Sequence, residues 1–162
     1  MTFAVRLGPN AIFPGFPRSS EMPLRSLRSI VAGQPPATAA KSATVFEASL
    51  LMKEQGKGAL LVVDGSRLIG IFTERDALYR VIAAGRDPAE TRLADVMTPQ
   101  PQTMHPDEPF VKALGIMHQH GFRHLPVVEH GRPLGVVSAR DALDDDFYDL
   151  RENLTQRGDE RD

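Results

Sequence analysis

The sequence has no cysteine, which excludes disulfides, zinc-thiolate sites and cysteine nucleophiles in one step. The net charge is only −2, so nothing favours non-specific nucleic-acid binding, which needs many cations to neutralise phosphates. No apolar run approaches the roughly 20 residues that span a bilayer. The N-terminus, with two glycines and four prolines in residues 1–23, lacks the apolar stretch of a signal peptide. We therefore expect a cytoplasmic protein without membrane contact.

The chain contains one short pattern twice. "GIFTERD" at 70–76 and "GVVSARD" at 135–141 lie 65 residues apart. The same offset, without gaps, aligns further positions such as Met52 with Met117. A shared register over apolar and polar positions indicates a tandem duplication. With 162 residues, 41% of them hydrophobic, the chain suffices for two small globular units that share a core.

Each unit is predicted to run strand–helix–strand–strand–helix. In the first unit, Thr44 and Glu47 form a capping box, and Gly56 suits the left-handed end of the helix that follows. The later elements are a buried strand "ALLVVD", a turn "DGSR", a returning strand "LIGIF" and a helix that begins at Thr73. The second unit repeats this order, with a first helix from about Pro109 to His120, strands "HLPVV" and "PLGVV", and a last helix from Ser138. A short extended segment, "PPAT" or "PQPQT", precedes each first helix.

The repeat also divides the chain. The predicted parts are an irregular N-terminal extension (1–27), unit 1 (28–86), a linker (87–95), unit 2 (96–150) and a charged C-terminal tail (151–162).

The first interpretation of the repeated G-x-x-[ST]-x-x-D motif is a helix cap. Thr73 and Ser138 stand where helices should begin, and a carboxylate three residues later completes a capping box. Duplication copies a cap as readily as a binding site. The repeat alone therefore does not choose between a cap and a ligand site.

The second interpretation is a ligand site built from the same groups. Glycine in the strand lets a ligand approach the backbone, and the start of the next helix favours phosphate. The hydroxyl would donate to that phosphate, and Arg75 or Arg140 would add positive charge. Asp76 or Asp141 would accept from the two hydroxyls of a ribose, as acidic residues do in dinucleotide folds.

Tandem units of this order, each with this motif, resemble a pair of CBS domains, also called a Bateman module. "VMTPQPQT" at 96–103 is similar to the family's usual entry into a unit, and "FRHLPVV" at 122–128 to its second strand. The resemblance covers about Ser29 to Asp145. It implies an α/β fold of the α+β type, with two units packed as a pseudo-twofold pair.

The resemblance further implies a regulatory module that binds an adenosine-containing ligand in clefts between the units. AMP, ADP or ATP is expected, with NAD or S-adenosylmethionine as further candidates. The family forms homodimers, so a homodimer is expected, together with an effector protein of unknown identity. The ligand-binding residues carried over are Thr38, Lys57, Gly58, Ala59, Thr73, Arg75, Asp76, Thr103, Arg123, His124, Pro126, Ser138, Arg140 and Asp141.

Within that set, the motif residues would hold phosphate and ribose, and the segments near Thr38 and Thr103 would face adenine. The small pair Gly58-Ala59 in unit 1 corresponds to the bulky pair Arg123-His124 in unit 2. We therefore expect two sites that differ in affinity or base preference.

Three other functions compete with a nucleotide sensor. A scaffold or oligomerisation module would use the motif residues only as caps. A small enzyme, such as a nucleotide hydrolase, lacks support because no G-x-S-x-G or Walker pattern is present. A nucleic-acid binder is disfavoured by charge. His118 and His120 are two residues apart and do not share a helix face, so we expect neither a metal site nor a catalytic residue.

Overall fold

A computed structural model describes residues 25–142. Its elements are α1 (Leu27–Val31), β1 (Thr38–Ala40), α2 (Val45–Gln55), β2 (Ala59–Asp64), β3 (Arg67–Thr73), α3 (Glu74–Asp76) with a π-helical continuation (Ala77–Ile82), α4 (Leu93–Val96), β4 (Thr98–Pro99), α5 (Phe110–His120), β5 (His124–Glu129) and β6 (Arg132–Ser138). The predicted order of elements is confirmed in the first unit. The predicted C-terminal tail, most of the N-terminal extension and nearly all of the last helix lie outside the described residues.

The first sheet has four strands in the order β1-β2-β3-β4. β1 runs parallel to β2, while the pairs β2–β3 and β3–β4 are antiparallel. Asp64 pairs with Arg67 across a two-residue turn, and Gly65 there has φ 59°, which glycine adopts without strain. Leu60 and Val62 point into the helix-covered core, whereas Leu61 packs on the opposite face of the sheet. The sheet is therefore buried on both faces.

The second sheet pairs β5 with β6 antiparallel, and both sheets carry a register shift at the same repeat position, Val62/Val63 and Val127/Val128. Of the predicted extended segment "PQPQT" at 99–103, only Pro99 lies in a strand, the short β4. Only the next residue, Met104, makes a parallel bridge to Val127. Strand β4 pairs with β3 of the first unit and not with a strand of the second. The duplication thus preserved the hairpin more closely than the segment that leads into it.

Each core contains a short helix, α1 or α4, that the sequence order would assign to the other unit. Helix α1 lies at the start of the predicted unit 1 but packs into the core of unit 2. There Leu27 is fully buried, and its backbone N–H donates to the Glu108 carbonyl at 2.9 Å. Helix α4, which spans the predicted linker and the start of unit 2, packs into the core of unit 1 through Leu93 and Val96. The sequence boundaries at 28–86, 87–95 and 96–150 therefore do not coincide with the two packed cores.

Local signals explain where the long helices begin and end. The predicted capping box of α2 is confirmed, since the Thr44 N–H donates to Glu47 Oε2 at 2.8 Å and the Glu47 N–H donates to Thr44 Oγ1 at 3.2 Å. α2 ends at Gly56 and α5 at Gly121, both in the left-handed conformation. These helix ends set the directions in which the chain continues into β2 and β5. They thereby position Gly58 and His124, which line the cavity described below.

We expect Leu93→Ala to lower the free energy of unfolding by about 2–5 kcal/mol, because it leaves a cavity in the first core. Leu93 is fully buried. The control is Leu50→Ala on α2, where the side chain is 41% exposed and the expected loss is about 1 kcal/mol or less. Urea denaturation of both variants measures the difference. Equal losses would contradict the placement of α4 in this core.

Candidate functional site

The first motif sits at the junction between β3 and α3. Thr73 caps the helix: the Asp76 N–H donates to Thr73 Oγ1 at 3.3 Å, and the Thr73 N–H donates to Asp76 Oδ2 at 2.9 Å. The Thr73 hydroxyl also donates to the same Oδ2 at 2.8 Å. The capping interpretation of the motif is confirmed here. Asp76 is one of the two buried polar side chains among residues 25–142.

The second oxygen of Asp76 faces a cation. Arg80 Nε lies 3.3 Å from Asp76 Oδ1, one helical turn away, and Arg80 Nη1 donates to the Val96 carbonyl at 2.8 Å. The pair lies where α3 passes into its π-helical continuation, a geometry that is frequent at functional sites. An ionised carboxylate has about four acceptor positions. Asp76 is therefore held in place while part of its acceptor capacity stays available.

The second motif has the same arrangement in part. The Ser138 N–H donates to Asp141 Oδ2 at 2.5 Å, as Thr73 does to Asp76. Arg25 Nη1, just before α1, donates to the Asp141 carbonyl at 3.4 Å. The helix that would follow Asp141 lies almost entirely outside the described residues. The two motifs therefore share the backbone hydrogen bond to the aspartate carboxylate.

A cavity of about 580 Å³ opens at the first motif and extends to the second unit. This volume falls within the range of about 300–1,000 Å³ that is usual for small-molecule sites. Seven of the predicted site residues line it: Gly58, Thr73, Arg75, Asp76, Arg123, His124 and Pro126. The fold therefore brings the motif of unit 1, predicted to hold phosphate and ribose, together with the strand of unit 2 that is predicted to face the base.

The other predicted residues lie elsewhere. Thr38 is exposed on β1, and Ala59 is buried between the sheets. Lys57 lines a second, smaller cavity of about 490 Å³ beside the end of α2. The remaining four, Thr103, Ser138, Arg140 and Asp141, do not line the larger cavity.

Sequence reasoning missed several residues that line the larger cavity. Tyr79 and Arg80 follow the motif on its own helix, and Gln102 lies one position before the predicted Thr103. His120 and Phe122 stack at 5.9 Å between ring centroids, at the end of α5. Tyr79 and Arg80 follow Asp76 by three and four residues, close to one helical turn, so the sequence could have indicated that they lie near the motif. The contribution of α5 depends on how the units pack, which no local pattern reveals.

Arg75 connects the two units across the cavity. Its Nη1 donates to the Gly121 carbonyl at the end of α5, at 3.1 Å. This carbonyl is neutral, so the bond positions the guanidinium without cancelling its charge. A residue predicted to add positive charge to the first motif thus also holds the second unit in place.

His124 of the second unit lies close to Gly58 of the first. A Cβ placed on Gly58 would be 3.2 Å from His124 Nε2 and 3.3 Å from Glu74 Oε2. A larger residue at position 58 would therefore crowd the side chains of His124 and Glu74. Burial lowers the pKa of His124, and the carboxylates of Glu74 and Asp141 only partly oppose it. The imidazole is therefore neutral at pH 7, with one donor and one acceptor nitrogen.

Comparison with known proteins agrees with these features. A family model for the CBS domain matches residues 27–83 and 93–146. A segment of 116 residues is 34% identical to the CBS domain-containing protein CBSX3, mitochondrial, of Arabidopsis thaliana, and covers 68% of this chain and 56% of that protein. The chain thus spans about half the length of this curated relative.

Solved structures show the same architecture. A CBS-domain protein from Burkholderia ambifaria MC40-6 is 33% identical with a TM-score of 0.71, over 77% of this chain and 96% of that one. The CBS domain pair of protein MJ0100, solved with 5′-methylthioadenosine and S-adenosyl-L-methionine, is 26% identical with a TM-score of 0.64, over 72% and 96%. Both the predicted family and the predicted fold class are confirmed. Among the described residues, no helix has the length and apolar character to cross a membrane.

We expect His124 to make stability fall as the pH drops. Its pKa in the folded protein lies below the unfolded value of about 6.5, so the unfolded state takes up a proton first as the pH falls. The stability contributed by the neutral imidazole is complete above about pH 6.5 and decreases below it, by at most about 1.4 kcal/mol per pH unit.

Urea denaturation between pH 7.5 and 5 tests this expectation. His124→Gln should lose less stability over that range than the wild type does. His118→Gln, on the exposed side of α5, is the matched control and should follow the wild type. Parallel pH profiles for the wild type and His124→Gln would contradict the burial effect.

Proposed function

Since the chain belongs to the CBS-domain family and carries two copies of the domain in tandem, we propose that it binds an adenosine-containing ligand in the larger cavity and acts as a regulatory sensor. The observation that carries this proposal is the lining of the cavity. Thr73 and Asp76 of one unit face it together with His124 and Pro126 of the other. A ligand bound there would contact both units, so binding would alter how they pack.

The chemistry of the lining suits an adenosine. Asp76 would accept hydrogen bonds from the ribose hydroxyls, and Thr73 would contact the phosphate from the first turn of α3. The neutral imidazole of His124 offers the donor and acceptor that the edge of adenine requires. Ile71 and Pro126 supply apolar surface to the same cavity. Deoxyribose lacks the 2′-hydroxyl, so the site would prefer ribonucleotides.

The relatives support the class of ligand. The MJ0100 domain pair, 26% identical, was solved with two adenosine derivatives. AMP, ADP or ATP is our first candidate for this chain, and NAD or S-adenosylmethionine the next. The relatives are named for their CBS domains and not for an enzymatic activity, which supports a sensor that signals to an effector protein. The cytoplasmic location stays a prediction.

If the chain forms a homodimer, ligand binding could alter dimer assembly as well as the packing of the two units. Three apolar side chains that follow the first motif are exposed: Leu78 at 52%, Tyr79 at 63% and Ile82 at 61%. They lie on the helix that carries Asp76. A dimer contact through this helix would couple ligand binding at the motif to assembly.

A scaffold without a ligand is the second candidate function. One observation favours it: the capping box of Thr73 and Asp76 is complete without any ligand. In that case, residues at the motif would affect stability only. Under the scaffold function, Asp76→Ala lowers only the stability. Under the sensor function, it also removes ligand binding.

We expect adenine ligands to raise the melting temperature of the wild type, and Asp76→Ala to abolish the rise. A ligand at 100 times its dissociation constant adds about 2.7 kcal/mol. For a protein of this size each kcal/mol corresponds to roughly 2–4 °C. Thermal unfolding with a panel of AMP, ADP, ATP, NAD and S-adenosylmethionine measures the shift.

Glu47→Ala is the matched control for this experiment. It removes the carboxylate of the other confirmed capping box, on α2 and outside the cavity lining. Both variants should lose roughly 0.5–2 kcal/mol of stability as caps. Only Asp76→Ala should lose the ligand shift, and Asp141→Ala reports on the second motif separately. A wild type that no ligand stabilises would favour the scaffold.

We also expect no turnover of ATP. Among residues 25–142, the cavity lining holds no serine, and of its two threonines, Thr73 and Thr98, the one in the motif already donates to Asp76. Incubation of the purified protein with ATP and magnesium, followed by product separation, is the measurement. Release of ADP or AMP that Asp76→Ala abolishes would identify a small nucleotide hydrolase instead.

A further inference from the structure

The charges that line the cavity are unequal in sign. Its arginines are Arg75, Arg80 and Arg123, and its acids are Glu74 and Asp76. Arg80 is paired with Asp76, so their charges compensate each other. The charges that remain are the two positive charges of Arg75 and Arg123 and the one negative charge of Glu74. In a chain with a net charge of −2, this cavity is locally positive, and a ligand with negative charge would be attracted to it.

Arg123 is the cation with the fewest constraints. Within residues 25–142, its side chain makes no hydrogen bond or ion pair, whereas Arg75 is tied to Gly121. Arg123 is exposed, yet it lines the cavity next to His124. Its charge reaches the cavity, because it helps to lower the pKa of His124. A guanidinium in this setting can bind phosphate with two parallel hydrogen bonds.

The duplication did not give the second motif the same charge. Of the three cavity arginines, Arg75 matches Arg140, but Arg123 matches Gly58 and Arg80 matches Asp145 in the repeat register. The excess positive charge therefore belongs to the site at the first motif. It is a feature of this chain's own divergence and not of the shared motif.

We propose that this cavity selects its adenosine ligand by phosphate charge, and that Arg123 determines the selectivity. The inference rests on the proposed function and adds the ligand class. Adenosine and 5′-methylthioadenosine, which carry no phosphate, bind weakly. S-adenosylmethionine, which carries a positive sulfonium, also binds weakly. AMP binds more tightly, and ATP, with the longest phosphate chain, binds most tightly.

Isothermal titration calorimetry on the full chain with adenosine, AMP, ATP and S-adenosylmethionine tests the order. In the wild type, ATP should bind at least about 10-fold more tightly than adenosine, the usual effect of one hydrogen-bonded charge. Arg123→Gln should weaken ATP about 10-fold and leave adenosine within about 2-fold. Arg123→Lys should retain part of the preference. Added salt should weaken ATP and not adenosine.

Arg86→Gln is the matched control, because it removes the same charge from an exposed position outside the cavity lining. It should leave all affinities unchanged. If adenosine ligands bind but ATP has no advantage over adenosine, or if Arg123→Gln leaves that advantage intact, the charge selectivity is overturned while the sensor stands. If no adenosine ligand binds, Asp76→Ala has no ligand-induced stabilisation to remove. The proposed function then fails, and the inference fails with it.

Discussion

The contact between the two sheets is the constraint on which the site depends. Ala59, Leu61 and Ile71 form a buried cluster on the face of the first sheet that is turned away from its own helices, and Val136 of the second sheet packs against it. Apolar burial drives this contact without directional preference, so shape decides how close the sheets come. Beside this contact, a Cβ on Gly58 would come within 3.2 Å of His124 Nε2, so the space between the two units is narrow there. The cavity is the space left beside this point.

In the proposed function, the motif residues combine a helix-capping role with a ligand-binding role. The capping box fixes Thr73 and Asp76 by local hydrogen bonds, and Arg80 holds the carboxylate from the next turn. This fixation costs the unliganded protein little, since each bond also satisfies a backbone donor that the helix start would otherwise leave open. It also presents a charged acceptor with a fixed orientation to the cavity, which reduces the entropy lost when a ligand binds. A good cap is thus a suitable starting point for a binding site.

The exchange of helices α1 and α4 makes the two units one folding body. Each core is completed by a helix from beside the other unit, with Leu27 in the second core and Leu93 in the first. A change in how the units pack therefore strains both cores together. Arg75 adds a polar link across the cavity through the Gly121 carbonyl. A ligand that competes for this guanidinium would act on the packing of the units, which is where a sensor needs to act.

The sequence by itself determined the duplication, the order of elements in the first unit, both long helices with their ends, and the hairpins. Caps, glycines and short apolar runs bounded by turns are local signals. It also identified Thr73 and Asp76, since hydroxyl and carboxylate spacing is local too. Only the tertiary structure decided that α4 belongs to the first core, that β4 joins β3, and that Gln102 and not Thr103 lines the cavity. These facts depend on contacts between segments far apart in the chain, which apolar burial selects by shape and no local pattern records.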